Sequence, residues 1–555
     1  MASQITTRPP RRARGADGAA PTDAKPKDTS SESIKETLES IVIAFILAFV
    51  FRAYVVEAFV IPTGSMAPTL LGRNVRVYCA QCAYHFKSDP DDGTIKGGSL
   101  RMTVRAHCPM CHYPNDLKPK TRVYAGDRIL VHKYIYSLME PQRWDVVVFK
   151  NPREPMQNFI KRLAGLPEES LWIIEGNVYV KPILADDTAW EIARKTVDEN
   201  VQRTVWQPIY YSIYVPLDNG RNRSPKIEWR VPWVAVGKHA DQWQIERRRS
   251  YRFDGTGTGT IRFDFDRAAR GGRAHWYAYN QQRLHDFHPE PITDVRLAAS
   301  FQPQGAGLAI EMQTTARLEH VVTEDDHNPP AKTVALRIDA SGAATVTSFD
   351  PETGRTATLR EAQVNPFVAG QTTTVELWHV DQQVSVWIDG RRIDLLTHEY
   401  ELNIDALRQR DALDGKRLYP QLGIEVSGSP VQLHRVEVDR DIFYSSTKPR
   451  QSDFGRGTLD KRSGPLHQGD PIHLQPDQFY CLGDNSPMSQ DSRYWEAPDP
   501  WIKHRMLQES EFGWGVVPRQ LMMGKAFFVY FPAALAWSDQ SMPVIPNFGE
   551  MRFIH

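Results

Sequence analysis

Three patterns of apolar and polar positions follow one another along the chain. Up to about residue 40, large apolar side chains are almost absent among Pro, Ala, Ser, Thr and charged residues, which predicts a disordered tail over 1–40. Ile41–Phe51 is then an unbroken apolar run, extended past a snorkelling Arg52 by Ala53–Val56. That gives about 16 residues against the ~20 of a usual span. Ser33 and Glu36, just ahead, have the spacing of a capping box. Together these predict a helical membrane anchor over 41–61. Beyond it no helical period is sustained. Asp145–Phe149, Val334–Ile338, Thr374–Trp378, Val384–Ile388 before an Asp389-Gly390 turn, and Val431–Val438 are β-branched and aromatic runs, read as short strands and hairpins. The fold predicted is mainly β behind one N-terminal transmembrane helix.

Charge gives the anchor a direction. Arg8, Arg11, Arg12, Arg14, Lys25, Lys27 and Lys35 precede the run, so the positive-inside rule leaves the N-terminus in the cytoplasm and the rest outside, as a single-pass plasma-membrane protein. A cleaved secretory signal is the competing reading, with Val56-Glu57-Ala58 as a loose cleavage site. Signal peptides, however, carry a short basic n-region, whereas this tail has some forty residues of mixed charge. Over the whole chain, 67 basic and 67 acidic side chains cancel, so bulk charge gives no case for a nucleic-acid partner. A length of 555 residues exceeds one core, which usually stops growing near roughly 250–300 residues.

Four of the five cysteines fall in two pairs, Cys79-Ala-Gln-Cys82 and Cys108-Pro-Met-Cys111. The spacing is close to that of a zinc ribbon, in which four thiolates bind Zn²⁺ tetrahedrally and staple a segment too small for its own core. Two disulfides are the alternative on an oxidising side of the membrane. His85, His107 and His112 are surplus to a four-thiolate set, and Cys481 reads as a small buried residue.

Three segments carry the candidate chemistry. The first is Phe59-Val-Ile-Pro-Thr-Gly-Ser65-Met-Ala-Pro-Thr-Leu70, the second Phe159-Ile-Lys161-Arg162-Leu-Ala-Gly165-Leu-Pro167, and the third Gly483-Asp484-Asn485 through Ser489, Asp491 and Arg493. Each alone reads as a turn, a strand end or a polar loop. In this order and these forms they closely resemble the type I signal peptidases, joined by matching segments at Ala125–Val131, Gly515–Pro518 and Gly524–Phe528. The resemblance covers about 35–75, 121–180 and 465–535. It implies that Ser65 is the nucleophile and Lys161 its general base, with no cofactor for catalysis. It further implies that Thr63 donates to the oxyanion, that Ser489 orients the lysine amine, and that Asp484 with Arg162 and Asp491 with Arg493 form supporting ion pairs. Phe59, Ile61, Met66, Leu70 and Ile160 would line pockets for the small side chains of an Ala-x-Ala site. The chemistry is self-consistent, because a hydroxyl needs a base, and a lysine can be one only when desolvation populates its neutral form near pH 7. One departure is Pro167-Glu168-Glu169, since the family usually has Gly after the Pro.

The expected plan is therefore catalytic segments at 62–75, 121–181 and 451–555, a four-cysteine ribbon at 76–120, and a β-sandwich at 182–450. Val384–Gly390 with Gly423–Val426 resembles the concanavalin/laminin-G jelly roll, of unknown ligand. Trp190, Trp206, Trp229, Trp233 and Trp243 offer either a binding face or core packing. The partners implied are the signal peptides of exported preproteins and membrane lipid. Two competing readings are a membrane-tethered jelly-roll binding protein with a relict peptidase frame and a Ser/Lys self-cleaving repressor. The paired Ser65 and Lys161 speak against the first, the anchor against the second.

Overall fold

The computed structural model describes residues 29–90, 92–218, 229–265, 267, 279–280, 292–315, 332–351, 353–402, 404, 407, 420–444, 471–495, 498–506, 515–532 and 547–555. The chain divides into two compact units, Met1–Val55 and Val56–His555.

The first unit contributes one helix, Thr29–Tyr54. Ser33 lies inside it, so the expected capping box is not its start. The predicted tail is already helical from Thr29, and residues 1–28 lie outside those described. The apolar side chains Val42, Ile43, Phe45, Leu47 and Phe49 are exposed. Among the described residues no helix is long and apolar enough to cross a membrane. The helix stops at Tyr54 instead of running to 61, because the next residues satisfy their backbone groups in a sheet. Val56–Val60 is a strand, antiparallel to Arg128–Lys133 over its whole length.

The second unit is built on antiparallel sheets. Its first sheet runs Val56–Val60, Arg128–Lys133, Met522–Phe531, Val146–Lys150, Asn158–Gly165, Gln478–Leu482, Val516–Pro518, with Arg552–Phe553 also paired to Met522–Phe531. Segments hundreds of residues apart are thus interleaved. The interior strands Val146–Lys150 and Gln478–Leu482 are buried almost throughout, as the apolar runs Val146–Phe149 and Phe479–Leu482 require. A smaller sheet runs Glu191–Ile192, Asn177–Pro182, Glu169–Ile174, Ile472–His473. Glu168 enters it at φ 63°, held by its amide on the Leu474 carbonyl and by Ile183 donating to its own carbonyl. A left-handed position explains the glycine expected there. That region costs an L side chain roughly 1–2 kcal/mol. Glu168→Gly is accordingly expected to stabilise the protein by about 1 kcal/mol, read as a rise in the urea midpoint.

Between these elements lies a two-sheet insert. One sheet is ordered Trp243–Gln244, Tyr251–Phe253, Val431–Arg440, Val295–Pro303, Thr373–Val380, Gln383–Ile388, Arg391–Arg392. The other is ordered Trp233–Val236, Gly259–Phe263, Gly423–Ser427, Ala309–Thr315, Thr333–Ile338, Ala343–Asp350, Arg355–Gln363. Alternate residues of both, such as Leu297, Val375, Leu433, Met312, Leu336 and Ile424, are buried in one core. The Asp389-Gly390 turn has φ 48° and 77°, the paired positive values of a tight hairpin. Trp190, Trp229, Trp233 and Trp243 are buried and Trp206 packs edge-on to Trp378, so core packing is the role these tryptophans take.

Two small hairpins, Val75–Tyr78 with His85–Ser88 and Val104–His107 with Pro114–Leu117, carry the paired cysteines. They pack on the sandwich through Tyr84, edge-on to Tyr214, and Gln81, bonded to Asp218. Lys87 ties them to Glu550 at 2.8 Å.

Candidate active site

Ser65 sits in a turn just after the Val56–Val60 strand and Lys161 on the Asn158–Gly165 strand. The two meet although 96 residues separate them. Lys161 Nζ donates to Ser65 Oγ at 2.8 Å and to the Ile160 carbonyl at 2.9 Å, and lies 5.0 Å from the centroid of the Phe159 ring. The lysine is 3% exposed. Burial pulls its ammonium down to about 8, against an opposing pull from Asp491, Cys481 and Asp484.

The shift also acts on stability. The folded value lies below the ~10.4 of an unfolded lysine, so between those pH values only the unfolded chain holds the proton. Folding is therefore strengthened as pH rises from about 8 to about 10.4, and below 8 it carries the whole penalty, about 3 kcal/mol. Lys161→Met is expected to raise stability at pH 7 by up to that amount, and urea midpoints at pH 7 and pH 10.5 should show the advantage vanish at the higher pH.

The turn around Ser65 is fastened from several sides. Asp127 accepts from the Leu71 amide with its carboxylate, donates its own amide to the Leu71 carbonyl, and accepts from the Ile61 amide with its carbonyl. Arg552 bridges that carboxylate to the Thr69 carbonyl. Asn485 donates its amide to the Ser65 carbonyl at 3.0 Å and its side chain to the Gly64 carbonyl at 2.9 Å. The Ala67–Pro68 peptide is cis.

Both expected ion pairs are present and buried. Arg162 grips Asp484 through Nε and Nη2, each at 2.7 Å, and directs its remaining donors to the Trp144 and His555 carbonyls and to Thr69. Thr69 in turn donates to Asp484. The rigid guanidinium fork is thus matched along its edges, as its burial demands. Arg493 grips Asp491 at 2.9 and 2.7 Å and also bonds Ser486, while Asp491 accepts from the Gly483 amide.

Of the remaining candidates, Ser489 is not in hydrogen-bond contact with the lysine and Thr63 faces solvent. The Ser489 hydroxyl is buried but makes no hydrogen bond; it lies instead against Gly483, where an added Cβ would come within 2.0 Å of its Oγ. Only glycine fits there. Ile61, Met66 and Leu70 are buried in one apolar cluster, with Phe59 and Ile160 partly buried against it, so the expected pocket residues are brought together. Asp127, Asn485, Thr69 and Arg552 were not among the candidates. Asp127 and Asn485 stood inside matching segments, which was signal enough to find them; Arg552 carried none.

The cysteine sulfurs also converge. Cys79 and Cys111 Sγ are 3.5 Å apart, as are Cys82 and Cys108, and all four sulfurs lie within 4.8 Å of one another, buried. No pair is at bonding distance, and none of the four is in a disulfide. Both knuckles share one geometry. The residue after each pair, Ala83 or His112, is left-handed and donates its amide to the carbonyl of Cys79 or Cys108. Thiolates about 2.3 Å from a central Zn²⁺ would stand at such separations.

The family model described as "Signal peptidase, peptidase S26" matches residues 34–96, 117–213 and 420–531, which hold Ser65, Lys161 and both ion pairs. In those segments the chain is similar to that family. Curated relatives, each named Signal peptidase I, include those of Rickettsia bellii (strain OSU 85-389), 26% identical over 28% of this chain and 43% of the relative; Rickettsia prowazekii, 27% identical over 27% and 45%; and Rickettsia massiliae, 24% identical over 35% and 58%. This chain thus spans about half the length of the relatives it matches. Among solved structures, the carbohydrate binding module CBM66 from Bacillus subtilis, 11% identical, covers 38% of this chain and 96% of that one at a TM-score of 0.22, a likeness too slight to carry an argument.

Proposed function

We propose that this chain is a membrane-bound serine endopeptidase that removes signal peptides from exported preproteins. The observation that carries this reading is the 2.8 Å contact between Lys161 Nζ and Ser65 Oγ in a buried setting. With the amine neutral, the Ser65 O–H donates to its lone pair. Oγ then bonds to the scissile carbonyl carbon as its proton passes to Nζ. The oxyanion is received by the Ser65 backbone N–H and the Thr63 hydroxyl. Collapse breaks the C–N bond, and Lys161 returns the proton to the departing amine, the new N-terminus of the mature protein. Lys161 next deprotonates a water that hydrolyses the Ser65 ester and frees the signal peptide. No His or Asp is required in this scheme, and no cofactor.

The cluster of Ile61, Met66, Leu70, Phe59 and Ile160 would take small side chains at an Ala-x-Ala site. The apolar run Ile41–Phe51 within the helix Thr29–Tyr54 would hold the chain at the membrane, with the catalytic residues acting on the extracytoplasmic side, where signal peptides end. Zn²⁺ would be held by Cys79, Cys82, Cys108 and Cys111 in a structural role. The β-sandwich has no assigned ligand.

The test is cleavage of a preprotein with an Ala-x-Ala site by the full chain in phospholipid vesicles. Wild type is expected to release a mature N-terminus just after that site, and Ser65→Ala to lose at least about a thousandfold in rate; a Ser65→Ala protein as active as wild type contradicts the reading. For the ribbon, native mass spectrometry should find one zinc per chain, lost in Cys108→Ser; two disulfides with no zinc would contradict it.

A further inference from the structure

We infer that the sandwich insert supplies a positioning pair, Tyr279 and Asn280, that holds the Ser65 turn in its reactive shape. The inference rests on Ser65 being the nucleophile and concerns residues outside the segments that match the family.

Tyr279 is 1% exposed and packs with Ala67 and Leu71, which follow Ser65 in the chain. Its hydroxyl donates to the Arg73 carbonyl at 2.8 Å. Its ring covers Gly64 so closely that a Cβ there would come within 2.2 Å of it. The residue before the serine must therefore be glycine as long as the tyrosine is in place. Asn280 faces Asn485 in a reciprocal amide pair, donating at 2.8 Å and accepting at 2.9 Å. Asn485 is the residue that binds the Gly64 and Ser65 carbonyls. The two amides are buried, and each needs the other's donor and acceptor to be satisfied. Without Asn280, the Asn485 side chain is left with unmet polar atoms and can turn away, releasing the Gly64 carbonyl and with it the Gly64–Ser65 peptide group that aims the Ser65 N–H. Neither residue touches the substrate or the reacting atoms. Small displacements of a nucleophile are enough to cost a large factor in rate.

The test is kinetic, on the full chain with a signal-peptide substrate. Asn280→Ala is expected to lower kcat about tenfold with KM within about twofold. Asn485→Ala is expected to do the same, and the double variant to be no slower than Asn485→Ala alone, since both act through one contact. Tyr279→Phe, which removes only the hydroxyl, keeps the ring on Gly64 and is expected to lose about threefold in kcat; it also guards against Asn280→Ala failing to fold. Full kcat in both Asn280→Ala and Tyr279→Phe, or losses in the double variant that multiply, would overturn the inference while leaving the catalytic pair intact. An active Ser65→Ala protein would instead overturn the reading beneath it.

Discussion

Lys161→Met is expected to leave a folded protein whose kcat/KM for preprotein cleavage is lower by about 10³-fold or more. The reason is specific to the amine. A serine hydroxyl is a weak nucleophile unless a base removes its proton in the transition state, and Lys161 Nζ, 2.8 Å from Ser65 Oγ, is the base in contact with it. Lys161→Arg separates basicity from charge. A guanidinium retains the positive charge but cannot give up a proton at accessible pH, so this variant should be as impaired as Lys161→Met. Recovery of activity in Lys161→Arg would mean that the cation, and not the neutral amine, matters. In the wild type, rate should rise with pH through about 8, where the ammonium loses its proton.

The second large effect is structural. Asp484→Ala is expected to destabilise the protein by about 3–5 kcal/mol, because it leaves the Arg162 guanidinium uncompensated in the interior. Both partners are fully buried, so the guanidinium is closed off from solvent. The loss would extend to activity, since Arg162 follows Lys161 on the same strand and Asp484 precedes the residue that binds the Ser65 turn. Replacing both charges, as Arg162→Met with Asp484→Leu, should recover a good part of that stability, because two apolar side chains of similar volume avoid the desolvation cost. Denaturant midpoints of Asp484→Ala and of the double variant measure the coupling; equal destabilisation by the two would show that packing, not charge, is at stake.

The sequence was most legible where one physical requirement dominates. Val146–Phe149 could only be a buried strand, and Asp389-Gly390 only a tight turn, because few residues tolerate those environments. Ser65, Lys161, Arg162, Asp484, Asp491 and Arg493 were found as a set because each sits in a short, ordered box. What stayed hidden depends on tertiary approach. Nothing local says that Tyr279 will cover Gly64, that the His555 carbonyl will accept a hydrogen bond from Arg162, or that Ser489 will press on Gly483 without bonding the lysine. The helix boundary was missed for a different reason. Val56–Val60 is apolar enough to extend a helix and β-branched enough to form a strand, and its pairing with Arg128–Lys133 decides the matter.

The central claim is that Lys161 can act as a base near neutral pH, and the ¹³Cε chemical shift of lysine-labelled protein tests it most directly, with Lys161→Met identifying the resonance. The account predicts a titration midpoint of about 8. A midpoint near the ~10.4 of a solvated lysine would contradict it.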